Sequence, residues 1–466
     1  MGLTDSLTGA LTGVFHTVTG GLLADDTIRL GVTGLSRAGK TVFITGLVAN
    51  LLDRGRMPQL KGAGRIEAAF LQPQPDDTLP RFDYEGHLAA LTGDNPRWPE
   101  STRAVSELRL SFRIRPDGFL SGLQGTRTLH LDIVDYPGEW LLDLSLLDKS
   151  YEQWSDETLD RLSRRAQGAD FLATARAEDG ALRLDEARAQ DLAALFTAYL
   201  NAAREAGYSD CTPGRFLLPG ELAGSPVLTF APLPKPAEAP RNSLWREMER
   251  RYEAYKDKVV KPFFRNHFAR IDRQVVLVDV LGAIHQGPRA VEDLRRTMAE
   301  VLAAFRPGRN GWLTALLGGR RVERILFAAT KADHLHHTQH PALTAITEAL
   351  LRDAKARADF AGAQTAAMSL AGLRATVEET IPRNGEDIGA VRGRLPNGKQ
   401  AAMYPGELPR DPARILSPAR EGAEKWLDAD YGLMTFAPAR LTLKPGEGPP
   451  HIRLDRAAEF LIGDRI

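Results

Sequence analysis

One cysteine, Cys211, stands in 466 residues. A lone thiol excludes an internal disulfide and suits a reducing compartment, and a small buried or loop thiol is the expectation for it. Net charge is missing as well, because 60 Lys and Arg meet 60 Asp and Glu. The chain therefore has no overall field to draw in nucleic acid or an anionic membrane, and no nucleic-acid partner is expected. Long apolar runs are also lacking. The longest, around Val275 to Ile284, is interrupted by Asp279 and falls well short of the roughly 18–20 residues that span a bilayer, so no transmembrane segment is expected. The length allows one large domain or two to three ordinary ones, each with its own core.

What is present is concentrated. Gly34 to Thr41 reads GLSRAGKT, a full match to G-x-x-x-x-G-K-[ST]. Upstream, Ile28, Leu30 and Val32 alternate as in a strand; downstream, Phe43, Ile44, Leu47, Val48, Leu51 and Leu52 keep helical spacing. Gly34 and Gly39 let the backbone wrap so that successive N–H groups face a phosphate, and the following helix adds the positive end of its dipole. The expected nucleotide-binding stretch is Gly34, Leu35, Ser36, Arg37, Ala38, Gly39, Lys40, Thr41 and Val42. In it Lys40 reaches the β and γ phosphates and the Thr41 hydroxyl ligates Mg²⁺.

Two further motifs follow in order. Arg127 to Asp135 (RTLHLDIVD) is strand-like and continues through Tyr136 and Pro137 to Gly138, spelling D-x-x-G. Asp135 is placed to hold Mg²⁺ through water, and Gly138 to bring its N–H to the γ phosphate. Alone this would equally be a plain turn; after a P-loop it resembles the second switch of a Ras-like GTPase. Arg321 to Asp333 (RVERILFAATKAD) then ends in Thr330, Lys331, Ala332 and Asp333, which resembles the [NT]-K-x-D base-recognition motif. A carboxylate there accepts hydrogen bonds from the guanine N1–H and exocyclic amine, which adenine does not offer, so Asp333 speaks against an ATPase. Lys331 would lie along the base.

With these motifs in sequence the chain resembles the YcjX-like family of bacterial, stress-associated P-loop GTPases. Gln274 to Asp279 (QVVLVD), Leu373 to Thr376 (LRAT) and Ile452 to Asp464 (IRLDRAAEFLIGD) extend the resemblance over nearly the whole chain. The resemblance implies an α/β fold: a Ras-like core of mixed, mostly parallel sheet flanked by helices, with a large helical insertion and a C-terminal extension. It also implies GTP or GDP with Mg²⁺ as ligands and a cytoplasmic role tied to stress. Peripheral attachment at the inner membrane and an unidentified protein partner, membrane-associated or not, stay open.

Nearly 200 residues separate Asp135 from Asp333, so something large is inserted between them. The expected organisation is an N-terminal amphipathic arm (1–24), with Leu7, Leu11, Val14 and Val18 at helical spacing, to cover the core or touch a membrane or partner. The first half of the core (25–140) carries an elongated first switch (54–105) rich in Pro, Gly and Asp. There Thr102, with Ser101 competing, is the candidate third Mg²⁺ ligand, just ahead of the alternating Leu108, Leu110, Phe112 and Ile114. A helical subdomain (141–270) repeats Leu192, Leu195, Phe196, Tyr199 and Leu200, then Leu244, Met248, Tyr252, Tyr255, Val259 and Phe263, placed to sense which nucleotide is bound. The second half of the core (271–376) follows. The extension (377–466) has a hairpin at Asn397-Gly398 and a closing helix near Asp455 to Ile462.

The expected catalytic group is Lys40, Arg37 and Glu139. Glu139 stands where a water-orienting Gln is usual, so an ionised carboxylate would meet like charge there and intrinsic turnover should be weak. Arg37 either lies along the phosphates, supplying charge in cis, or faces solvent. His334, His336, His337 and His340 have no Cys or acid at matching spacing, and structural or solvent roles are expected for them. Two functional readings remain: a slow GTP hydrolase acting as a regulatory switch, and a nucleotide-dependent scaffold with little turnover.

Overall fold

The computed structural model describes residues 26–35, 38–100, 104–116, 125–267, 270–303, 322–360, 362–383, 385–426 and 430–466. The expected N-terminal arm, Ser36, Arg37, Ser101 and Thr102 lie outside the described residues.

Seven strands form the central sheet: β1 (Asp26–Gly34), β2 (Ile66–Gln72), β3 (Ser106–Ile114), β4 (Arg127–Asp135), β5 (Arg273–Val278), β6 (Arg324–Ala329) and β7 (Gln364–Ser369). Their order is β2-β3-β4-β1-β5-β6-β7. The run from β4 through β1 to β7 is parallel, and β3 and β2 add an antiparallel flank. Central strands read as continuous apolar runs because helices cover both faces. Side chains alternate between them: Leu30, Leu131, Val275 and Leu326 face one core, while Val134, Val276, Val278 and Phe327 face the other.

The first core is closed by α1 (Lys40–Leu52), by Tyr84 of α2 (Tyr84–Thr92), and by the chain's final helix. The stretch expected as an elongated switch thus contains an edge strand and a helix. IEAAFLQ of β2 is half-exposed along most of its length, so it lacks the clean alternation that identifies a strand in sequence, and α2 is started by the Asp83 carboxylate accepting from Gly86 N at 3.1 Å.

The second core lies under the insertion. Its main helices are α3 (Tyr151–Ser163), α4 (Ala169–Ala177), α5 (Glu186–Glu205) and α6 (Leu244–Tyr255), which runs through a π-helical turn at Lys256–Val260 into Lys261–Asn266. Ser150 and Gln153 form a reciprocal capping box at the start of α3. Aromatic rings dominate the packing: Trp154 stacks on Tyr252 with centroids 5.0 Å apart, and Phe216 meets Phe230 edge-on at 4.9 Å. Cys211 is buried here, and burial pushes its thiol up to about 12, so it stays protonated.

After β5 come α7 (Val280–Gln286) and α8 (Pro288–Ala303); after β6 come α9 (His340–Leu350) and α10 (Arg352–Phe360). A second sheet, β8 (Thr376–Arg383), β9 (Glu386–Arg394) and β10 (Gln400–Met403), is antiparallel, with Gly398 at φ 84° in the turn between its last two strands. The chain closes with α11 (Ala413–Arg420) and α12 (Leu454–Ile462). The buried Arg273 guanidinium of β5 locks α12 in place, donating to Leu461 O at 2.7 Å and to Asp464 Oδ1 at 2.6 Å. No described helix is long and apolar enough to cross a membrane.

Candidate nucleotide site

The phosphate loop begins where β1 ends. Gly34 and Gly39 are both needed, for different reasons. A Cβ on Gly34 would lie 2.8 Å from Leu277 O, whereas one on Gly39 would meet nothing within 4 Å. At Gly39 the constraint is the backbone, which sits at φ 79°. Leu35 O accepts from Ala38 N at 3.1 Å, and Gly39 O accepts the first helical bond from Phe43 N at 2.9 Å. Lys40, Thr41 and Val42 form the opening turn of α1. Lys40 is buried and folds back across the loop, its Nζ donating to Gly34 O at 3.1 Å.

Asp135 ends β4 beside β1, opposite Val32, and is buried. With the buried Thr41 hydroxyl it supplies the hard oxygen donors that Mg²⁺ prefers, so these two residues fit that ion. Gly138 is pressed onto the phosphate loop itself, since a Cβ there would lie 2.1 Å from Gly34 O. Glu139 is buried in turn, and its own carbonyl lies 2.2 Å from where a Cβ on Gly214 would be. Two glycine contacts therefore link the phosphate loop, through the D-x-x-G turn, to the helical insertion. Arg215 reinforces the link with its guanidinium carbon 3.2 Å from the Trp140 ring centre. Asp143 accepts from Gly214 N at 2.7 Å and from the Tyr255 hydroxyl. Burial pushes its carboxyl up to about 7.

The base side is assembled from separate stretches. Thr330 follows β6, and Lys331 takes a left-handed backbone at φ 61° with its ammonium paired to Asp279. Asp279 in turn caps α7 by accepting from Gly282 N at 2.9 Å. Asp333 is buried; its Oδ2 accepts from Ala375 N at 3.0 Å and its carbonyl accepts from the Thr376 hydroxyl. A carboxylate has about four acceptor positions, so capacity for a base remains. The Leu373 to Thr376 stretch, read in sequence only as a resemblance, is thus what holds Asp333. The preceding loop is pushed against α1, where a Cβ on Gly46 would lie 2.2 Å from Gly372 O.

One cleft of about 630 Å³ collects Ala38 to Phe43, Glu139, Thr330, Lys331, Asp333 and Leu370 to Leu373. Arg204 of α5, Trp98 and Phe436 line it as well, and Trp98 Nε1 donates to Phe436 O at 2.7 Å. None of these last three was evident from sequence, because each reaches the cleft by tertiary packing; the only local signal was the position of Leu370 to Leu373 just after a strand. The histidines separate. His340 is buried and engages Ala332 O at 2.8 Å, His334 packs edge-on to Phe436, and His336 and His337 meet Glu378 of β8 at 3.7 and 2.6 Å. No spacing pattern pointed to that acid, which a strand some forty residues on contributes.

A P-loop at the carboxyl edge of a mostly parallel sheet, with D-x-x-G and T-K-x-D loops at neighbouring strand ends, defines an α/β protein with a Ras-like P-loop core. The chain belongs to the YcjX-like family, DUF463, whose model matches residues 28–466. It is similar to the Ras-like GTPase YcjX of Escherichia coli K12, 40% identical over 460 residues that cover 95% of this chain and 96% of that protein. It also resembles the Ras-like GTPase YcjX of Shewanella oneidensis, 36% identical over 471 residues covering 95% of each.

Proposed function

We propose that the protein binds guanine nucleotide and hydrolyses GTP slowly, acting as a stress-related regulatory switch. The observation that carries this reading is one cleft whose lining includes both Lys40 with its loop neighbours and Asp333. In this reading the backbone from Gly34 to Val42 and the Lys40 ammonium hold the phosphates, and Gly138 positions the switch turn against them. Asp333 accepts the guanine N1–H and amine, with Thr330 and Lys331 shaping the base pocket. Thr41 and Asp135 hold Mg²⁺, which when bound neutralises phosphate charge.

Hydrolysis requires a water oxygen to bond to the γ phosphorus as the bond to the β,γ-bridging oxygen breaks. The electron pair leaves on GDP and a water proton passes to a γ-phosphate oxygen. Glu139, in place of a neutral amide, is poorly suited to orient that water, which supports slow turnover. Its burial against Gly214 favours a second reading, in which nucleotide chiefly sets the arrangement of the insertion for a protein partner and little GTP is consumed. The similarity to proteins named Ras-like GTPases supports the nucleotide assignment common to both.

Titration calorimetry of GDP, GTPγS and ATPγS with Mg²⁺ on wild type and Asp333→Ala tests it. Guanine-selective binding that the variant loses is expected; equal binding of adenine and guanine nucleotides by both proteins would overturn the assignment. A single-turnover rate then separates the two readings, slow but measurable hydrolysis supporting the first.

A further inference from the structure

Among the described residues, three Lys or Arg side chains line the cleft: Lys40, Lys331 and Arg204. Two are engaged, Lys40 with Gly34 O and Lys331 with Asp279. Arg204 has no ion pair or hydrogen bond from its side chain to any described residue, although Glu139, Asp279 and Asp333 share the cleft lining with it. It is half-buried. A guanidinium at a cleft wall with no carboxylate paired to it has its natural complement in the phosphate chain of the ligand.

Arg204 is also firmly placed. It sits in the last turn of α5, and the chain leaves that turn through Gly207 at φ 92°, where a Cβ would lie 1.8 Å from Gln286 Oε1 of α7. Two residues on, Ser209 N donates to Asp293 Oδ2 of α8 at 2.5 Å. The helix end is therefore pinned to α7 and α8, and α7 starts at Asp279, the partner of Lys331. Glu139 and Arg204 further share the wall of a smaller cavity of about 80 Å³ behind the phosphate loop, together with Leu35. Arg204 therefore shares one wall with a residue of the phosphate loop and with the residue that follows D-x-x-G, as well as with Asp279.

We propose that Arg204, carried by the helical insertion, is a catalytic residue for GTP hydrolysis, its guanidinium binding the γ-phosphate and β,γ-bridging oxygens. This rests on the GTP-binding reading above. As the γ phosphorus bonds to water and its bond to the bridging oxygen breaks, negative charge builds on that oxygen, and a planar fork of N–H donors stabilises it there. The insertion thereby supplies in cis the charge that related systems take from a partner. It also offsets the carboxylate of Glu139, a neighbour in the same wall.

The test compares wild type with Arg204→Ala and Arg204→Lys on the full chain, with GDP affinity, the GTPγS to GDP affinity ratio, GDP–aluminium fluoride binding and single-turnover hydrolysis as readouts. GDP affinity should change by less than about threefold, while hydrolysis falls by at least about 100-fold and the fluoride complex is lost, with Lys restoring little. If wild-type turnover is too slow to follow, the affinity ratio decides: a fall of about tenfold in the Ala variant is expected. Equal loss of GDP and GTPγS binding, or an unchanged rate and ratio, would overturn the proposal. Absence of guanine nucleotide binding by wild type would instead overturn the site assignment beneath it.

Discussion

The two faces of the central sheet bury different chemistry. Under α1 and α12 the core is almost entirely aliphatic, with Ile28, Leu30, Val32, Leu131 and Leu277 meeting Ile44, Leu47 and Leu461. Under the insertion it is aromatic and ionic. Trp154, Tyr151 and Tyr252 pack together, and Arg165 is buried between Asp210 and Asp293. The first face is mainly aliphatic packing, with the Arg273 pair at its α12 edge. The second contains buried carboxyl groups and hydrogen-bonded hydroxyls, and it is the face that touches Glu139 and Trp140 through Gly214 and Arg215. A platform and a responsive layer thus share one sheet.

Deleting a large side chain tests the contrast most severely. Trp154→Ala should destabilise by about 3–5 kcal/mol and Leu30→Ala by about 2–5 kcal/mol in denaturant titrations. Guanine nucleotide affinity should fall with the second far more than with the first, because Leu30 lies in the strand that carries the phosphate loop. Similar affinity losses in both would erase the distinction. Next in size is Gly46→Ala, which places a methyl carbon 2.2 Å from Gly372 O. It should cost about 1–3 kcal/mol and displace the loop beside Asp333, read as weaker nucleotide binding at unchanged ATP-to-GTP preference.

The responsive layer should show itself in pH. Burial pushes Asp143 up to about 7 in the folded chain, above the roughly 3.9 of an unfolded aspartate. The stability contributed by its protonated form is therefore full below about pH 4 and lost as pH rises through about 7. Asp143→Asn keeps an acceptor oxygen for Gly214 N, presents an amide N–H to the Tyr255 hydroxyl oxygen, and does not titrate. Its stability should decline less than that of wild type between pH 4 and 7, measured by chemical denaturation at each pH. Part of the slope should survive, because burial and the neighbouring Asp210 also push Asp293 up to about 7. The smallest effect belongs to the half-exposed pair of Arg465 and Asp26, 3.3 Å apart. Arg465→Ala should cost no more than about 1 kcal/mol, and less at high salt.

How far the sequence could be read follows from how local each feature is. The phosphate loop is one stretch of consecutive residues whose glycines, Lys40 and Thr41 carry their meaning in their spacing. β4 and β6 were legible because central strands are long apolar runs, and α5 and α6 because their apolar residues repeat at helical intervals. By contrast β2 was hidden in a Pro- and Gly-rich stretch, since an edge strand with one wet face loses its pattern. Arg204, Trp98 and Phe436 reach the cleft only by packing between segments far apart in the chain, and no spacing rule reports that. Ala375 and Thr376 were noticed without a purpose; the hydrogen bonds to Asp333 supply one.

The placement of α12 bears on how the protein is made. Leu454, Ala457, Leu461 and Ile462 cover the aliphatic core, Arg273 of β5 finds Leu461 O and Asp464 there, and Ile452 pairs with Ala371 in the loop beside the base site. Ile452, the α12 residues and Asp464 follow every described strand of both sheets in the chain. A ribosome therefore releases the strands before the segment that shelters them, so the nascent sheet carries an uncovered oily face and a charged guanidinium without its partner until synthesis reaches the last helix. The loop at Ala371 likewise gains its bridge to Ile452 only once that later segment has been made.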